Sequence, residues 1–292
     1  MELQTKPHTA STKTHERISW AMLAGLLILR LPLMTGVEYF ASFLWLDPLF
    51  ELCTYVLTLG LIWWERDRLA LFHIDALSIV LIIFLKPIQT LYLGFLWITV
   101  QYDNILAFPR FSSLVIWIGA AVLFFVIRKK RPELLKVQKT SWRWFGIGIL
   151  VGVGKALLLG YPMSLQLDPS FQNYKLILFN ELLPILPIFV YQLGYAAVAE
   201  EPLFRGFLWG HLRKTGWNEW GICLFQALLF ALGHIYYLPQ LPISFWITVP
   251  VGGLFFGLLA WKSRTIASSM AAHGLFNALA GTVARFIAAY TH

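Results

Sequence analysis

Apolar runs close to twenty residues long recur from Ile18 almost to the C-terminus. An α-helix needs roughly 20 apolar residues to cross a bilayer, so such runs constrain the chain more than any other feature. Candidate spans fall at about 18–36, 42–64, 73–100, 112–128, 143–161, 185–210, 217–237, 244–262 and 266–290, eight or nine in all. No run alternates apolar and polar residues with the period of a strand, which argues against a β-barrel. Composition points the same way. Hydrophobic residues make up 58% and charged residues 13%, whereas a soluble domain carries about a quarter charged. The predicted fold class is all-α, a polytopic transmembrane helical bundle.

The net charge of +8 would suggest nucleic acid as a partner of a soluble domain. Here the basic residues flank apolar runs, at 65–68, 128–136, 211–214 and 262–264. That is the pattern of cytoplasmic loops, so lipid is the expected partner and nucleic acid is not. Residues 1–17 read as a short cytoplasmic tail, 18–140 as an amino-terminal transmembrane region of unknown role, expected to be a scaffold that merely shields the core from lipid, and 141–174 as a connecting span and outer loop. Pro184 and Pro187 are expected to break or kink a helix, leaving 175–183 interfacial or re-entrant. Cys53 and Cys223 lie inside apolar runs and form no metal or disulfide pattern. Arg30, Glu51, Lys86, Lys155 and Glu181 lie in or at the ends of spans. Such charges pair with one another or snorkel to the headgroups.

Several familiar motifs fail. "GVGK" at 152–155 lacks the spacing of a phosphate loop and sits in an apolar span, and no zinc helix or serine nucleophile elbow occurs. Polar residues concentrate instead between 197 and 277. In "EEPLFR" the acid Glu201 and the base Arg205 share a helix face at i and i+4, while Glu200 points elsewhere without a local partner. Phe230 and His234 share a face on the next span, as do His273 and Asn277 on the last. Unpaired polar groups are costly in lipid, so these faces are expected to meet. Glu200 with His234 could activate water, and His273 with Asn277 could stabilise an oxyanion. The same Glu200, His234 and His273 could alternatively be ligands of zinc. A transporter or channel with a buried polar relay would instead call for matched broken helices in two halves, and only the break near Pro184 is found.

Glu-Glu-x-x-x-Arg at 200–205, Phe-x-x-x-His at 230–234 and His-x-x-x-Asn at 273–277, in this order on successive spans, resemble the CAAX protease and bacteriocin-processing enzyme family. The family comprises intramembrane proteases, including the type II prenyl-protein proteases and the bacterial Abi proteins. The resemblance covers roughly residues 175–290 and implies an intramembrane protease core over 175–292. It implies Glu200 as the catalytic glutamate, His234 and His273 as essential histidines, Asn277 as the oxyanion-stabilising asparagine, and Glu201 and Arg205 as supporting residues. The expected activity is hydrolysis of peptide bonds in a membrane-anchored or membrane-inserted protein or peptide, without a cofactor, zinc being the alternative. The expected location is a multi-pass place in a bacterial inner membrane.

Overall fold

The computed structural model describes residues 10–36, 47–85, 107–131, 137–167 and 185–291. All of its regular structure is helical, and no strand occurs among the described residues. Helix α1 (Ala10–Ile28) runs on through a π-helical turn (Leu29–Met34) that contains Pro32. It starts within the segment 1–17 read above as tail. α2 is Asp47–Trp64, α3 Ala76–Leu85, α4 Ala107–Lys130 and α5 Trp142–Ser164. A rod at residues 185–214, α6, is followed by α7 (Glu219–Leu232), α8 (Ser244–Ser263) and α9 (Ile266–Thr291). The interfacial piece expected at 175–183, together with Lys86 and Glu181, lies outside the described residues.

Among the described residues two helices, α5 and α8, are long and apolar enough to cross a membrane. The count of eight or nine expected from sequence is larger because several of its runs lie partly outside the described residues, and the run at 217–237 holds the shorter helix Glu219–Leu232. It also includes α6 and α9, whose apolar character is diluted by the same Glu, Arg, Ser, His and Asn residues that build the site. Many large apolar side chains nevertheless point outward. Trp220, Leu224, Leu228 and Leu232 form an exposed row along α7, and Leu150, Leu157 and Leu158 are exposed on α5. Contiguous apolar surface of this kind is rare on soluble monomers.

α5 crosses α9 at close range because the α5 face carries glycines. Gly148, Gly152 and Gly160 are buried on one side with Lys155, Ala156 and Leu159. A Cβ at Gly148 would fall on the backbone carbonyl of Ser268, and one at Gly152 would come within 2.7 Å of the Ala272 carbonyl oxygen. Small residues at such spacing let helix backbones approach. Gly148→Ala must push backbone against backbone and is expected to cost about 1–3 kcal/mol, read as a lower midpoint in detergent-solubilised thermal unfolding.

The rod α6 contains two π-helical stretches, Leu193–Ala197 and Pro202–Leu208. Pro202 explains the second. It has no N–H to give to the preceding turn and its ring crowds that turn, and a wider turn relieves both problems. Pro187 lies within the helical stretch Ile185–Gln192, and Pro184 lies outside the described residues.

The amino-terminal helices do more than shield. Leu23, Leu26 and Tyr55 share one buried cluster with Phe204, Phe207 and Trp209. The Tyr55 hydroxyl donates to the Gly194 carbonyl at 2.9 Å, and Thr35 donates to the Gly233 carbonyl at 2.9 Å. His73 sits in the loop before α3 in a left-handed conformation and accepts from Arg213 at 3.0 Å. Burial first, then the nearby Arg213 and Arg264 charges, push its pKa down to about 3. A second cluster, with Ala156, Phe256, Ala272 and Phe276, lies between α5, α8 and α9. The polar residues of α6, α7 and α9 meet between the two clusters.

Candidate active site

Glu200 and Glu201 lie just before the π-helical stretch at Pro202 and are both buried. As expected, Arg205 sits one turn on and donates to Glu201 Oε1 at 3.3 Å. Its second arm reaches the Gly253 carbonyl at 3.2 Å, and its guanidinium lies 4.4 Å from the Phe230 ring centroid. Gly253 takes a further hydrogen bond from Gln226 at 3.0 Å. Glu201 Oε1 also faces His273 Nδ1 at 2.9 Å. A carboxylate only accepts, so that nitrogen carries the hydrogen and the His273 ring is fixed with Nε2 facing the other way. Stacking on Phe256, with centroids 4.8 Å apart, completes the clamp.

His234 is held by the same logic through a different partner. α7 ends at Leu232, so His234 occupies the turn beyond the helix, whereas the expected span ran on to 237 with His234 near its end. Gly233 follows the last helical residue, and the chain bends there. His234 Nδ1 lies 2.8 Å from the Phe230 carbonyl oxygen and donates to it, which leaves Nε2 as the free ring nitrogen.

Both free nitrogens point at one side chain. His234 Nε2 lies 3.8 Å from Glu200 Oε1, and His273 Nε2 lies 3.8 Å from Glu200 Oε2. Glu200 Oε2 has no hydrogen-bond partner. Two ring nitrogens and a carboxylate are all acceptors in their neutral and ionised forms. Their shared approach therefore suits a group that brings hydrogens, such as a water. Asn277, one turn beyond His273 on α9, donates to Gln192 at 3.3 Å. Glu200, His234, His273 and Asn277 line one cavity of about 360 Å³.

One expectation is corrected. Glu200 has no partner on its own helix, but it is not free, because Arg30 forms a buried ion pair with Oε1 across 170 positions of sequence. Arg30 comes from the π-helical turn after α1. One signal of it was present, an arginine inside an apolar run that calls for a counter-ion, but none of which carboxylate would supply it.

The zinc donor set named from sequence is brought together, but poorly for a metal. The Arg30 guanidinium takes Glu200 Oε1, the oxygen facing His234, and a fixed cation there would repel a dication. Among the described residues no group of three His, Cys, Asp or Glu side chains is arranged to hold a metal ion.

Residues 182–279 match the family model described as type II CAAX prenyl endopeptidase Rce1-like. No curated protein and no solved structure matches the chain. The matched stretch contains Glu200, Glu201, Arg205, His234, His273 and Asn277, whereas Arg30 and Lys155 lie outside it. Over residues 182–279 the chain is similar to the Rce1-like type II CAAX prenyl endopeptidase family, whose members are membrane proteases.

Proposed function

We propose that the protein is a multi-pass membrane endopeptidase, placed in a bacterial inner membrane, that hydrolyses a peptide bond of a membrane-anchored or membrane-inserted substrate with Glu200 as general base. The observation that carries the reading is the convergence of two histidine Nε2 atoms on Glu200 inside a cavity whose wall includes Asn277. The outward apolar rows on α5 and α7 suit lipid contact.

A water bound between Glu200 and His234 Nε2 donates one hydrogen to each acceptor and directs a lone pair at the substrate carbonyl. Its oxygen forms the new bond to carbon as Glu200 takes the proton, and the carbonyl π pair moves onto oxygen. Asn277 donates to that oxyanion. His273, when protonated, holds Glu201 through Nδ1–H and offers Nε2–H to the same oxygen. When the intermediate collapses the C–N bond breaks, and the proton held on Glu200 passes to the leaving nitrogen. Arg30 keeps the Glu200 carboxylate ionised and oriented between turnovers.

The test is purified protein reconstituted in lipid vesicles with membrane-anchored peptides, products being identified by mass. Cleavage is expected with the unmodified protein, with or without a chelator, and not with Glu200→Gln. Equal cleavage by Glu200→Gln overturns the reading. Cleavage lost to the chelator and restored by zinc replaces the metal-free mechanism with the zinc alternative.

A further inference from the structure

Lys155 enters the same cavity from α5, outside the matched family domain. It is 4% exposed, and its ammonium lies 4.3 Å from the Phe256 ring centroid and 3.4 Å from that of Phe276. No hydrogen bond and no carboxylate contact reaches that ammonium among the described residues. Glu201, the carboxylate that acts on it from a distance, is already engaged by Arg205 and His273. Two ring faces offset only part of the cost of taking an ammonium out of water.

The surroundings are shaped for this head group. A Cβ at Gly252 of α8 would fall on Lys155 Nζ and come within 3.0 Å of Cε. Only glycine at 252 leaves the ammonium where it is. Three helices thus build the position: α5 supplies the lysine, α8 the gap and the Phe256 face, and α9 the Phe276 face. The cavity also carries Glu200 and Glu51, but Arg30 already neutralises Glu200. The group that Lys155 calls for is an anion that arrives with the substrate.

We propose that Lys155 is a specificity-determining residue that binds a carboxylate of the peptide substrate inside the cavity shared with Glu200. The proposal rests on the peptidase reading for the identity of the ligand. The carboxylate is either the side chain of an acidic residue or the chain's own terminal group. Both present the same pair of oxygens to an ammonium, and a charge-assisted hydrogen bond in low dielectric is a strong one.

The experiment measures binding, not cleavage, so that its failure is separable from failure of the peptidase reading. Short apolar peptides with N-methylated amides, which resist hydrolysis, are titrated onto the detergent-solubilised full chain. One carries only a terminal carboxylate, one only a glutamate side chain with an amidated end, and one neither. One of the two carboxylate peptides is expected to bind at least about thirtyfold more tightly than the neutral peptide, the lower end for losing one member of a buried charge pair. Which peptide gains identifies the source of the carboxylate. Lys155→Met is expected to erase the gain without weakening the neutral peptide. Gly252→Ala, which displaces the ammonium and keeps the charge, is expected to reduce it. Equal affinity for all three peptides, as for a neutral amine at 155, overturns the proposal. So does a carboxylate preference that survives in Lys155→Met, which would assign it to Arg30.

Discussion

Glu200→Gln is expected to lower peptide-bond hydrolysis by about 10²–10⁴-fold, the range removed when a positioned general base is lost. The carboxamide fills the same volume and cannot take a proton from water at neutral pH. Its oxygen still accepts from Arg30, so the substitution does not leave the guanidinium without a partner in the way a deletion to alanine would. The stability cost should therefore stay below the roughly 3–5 kcal/mol of stripping one member from a buried ion pair.

Arg30 supplies the control. Arg30→Met leaves the Glu200 carboxylate buried without its ion-pair partner, and is expected to destabilise the fold by about that full 3–5 kcal/mol. The double variant Arg30→Met with Glu200→Gln removes both charges. It should be more stable than Arg30→Met alone, a coupling that shows directly in a double-mutant cycle on unfolding midpoints. If the two substitutions simply add, the ion pair does not hold the site. If Glu200→Gln retains full activity while folded, Glu200 is not the base.

Much of this architecture was legible in the sequence because helices announce themselves locally. The runs expected at 143–161, 244–262 and 266–290 are the helices Trp142–Ser164, Ser244–Ser263 and Ile266–Thr291 within a few residues. The pairing of Glu201 with Arg205 also followed from i, i+4 spacing alone. Features set by tertiary contact were not legible. His234 keeps its link to Phe230 through a backbone carbonyl beyond the helix end, which side-chain spacing does not describe. Arg30 meets Glu200 only because α1 packs on the π-helical stretch of α6, and nothing periodic connects residues so far apart. Lys155 stands in "GVGK", inside the helix Trp142–Ser164. Its place in the cavity depends on Gly252 of α8 and Phe276 of α9.

Arg205 is where stability and positioning coincide. Its side chain is fully buried and bridges Glu201 on its own helix to the Gly253 carbonyl on α8. Arg205→Met keeps most of the volume over Phe230 and removes the charge. Glu201 would then be a buried carboxylate with His273 as its one remaining donor among these contacts, while Gly253 keeps the hydrogen bond from Gln226. The expected loss is about 3–5 kcal/mol, seen as a large drop in unfolding midpoint in detergent. Glu201→Gln added to Arg205→Met should recover part of it, because no bare charge is left inside. Arg205→Lys should recover less, since a single ammonium cannot reach both Glu201 and Gly253 as the two-armed guanidinium does. Activity separates position from stability. In the doubly neutral variant His273 loses its carboxylate partner, its ring is no longer fixed by charge, and hydrolysis should stay low even where the fold is restored. A doubly neutral variant that regains full activity would show that Glu201 and Arg205 hold the helices together and do nothing for His273.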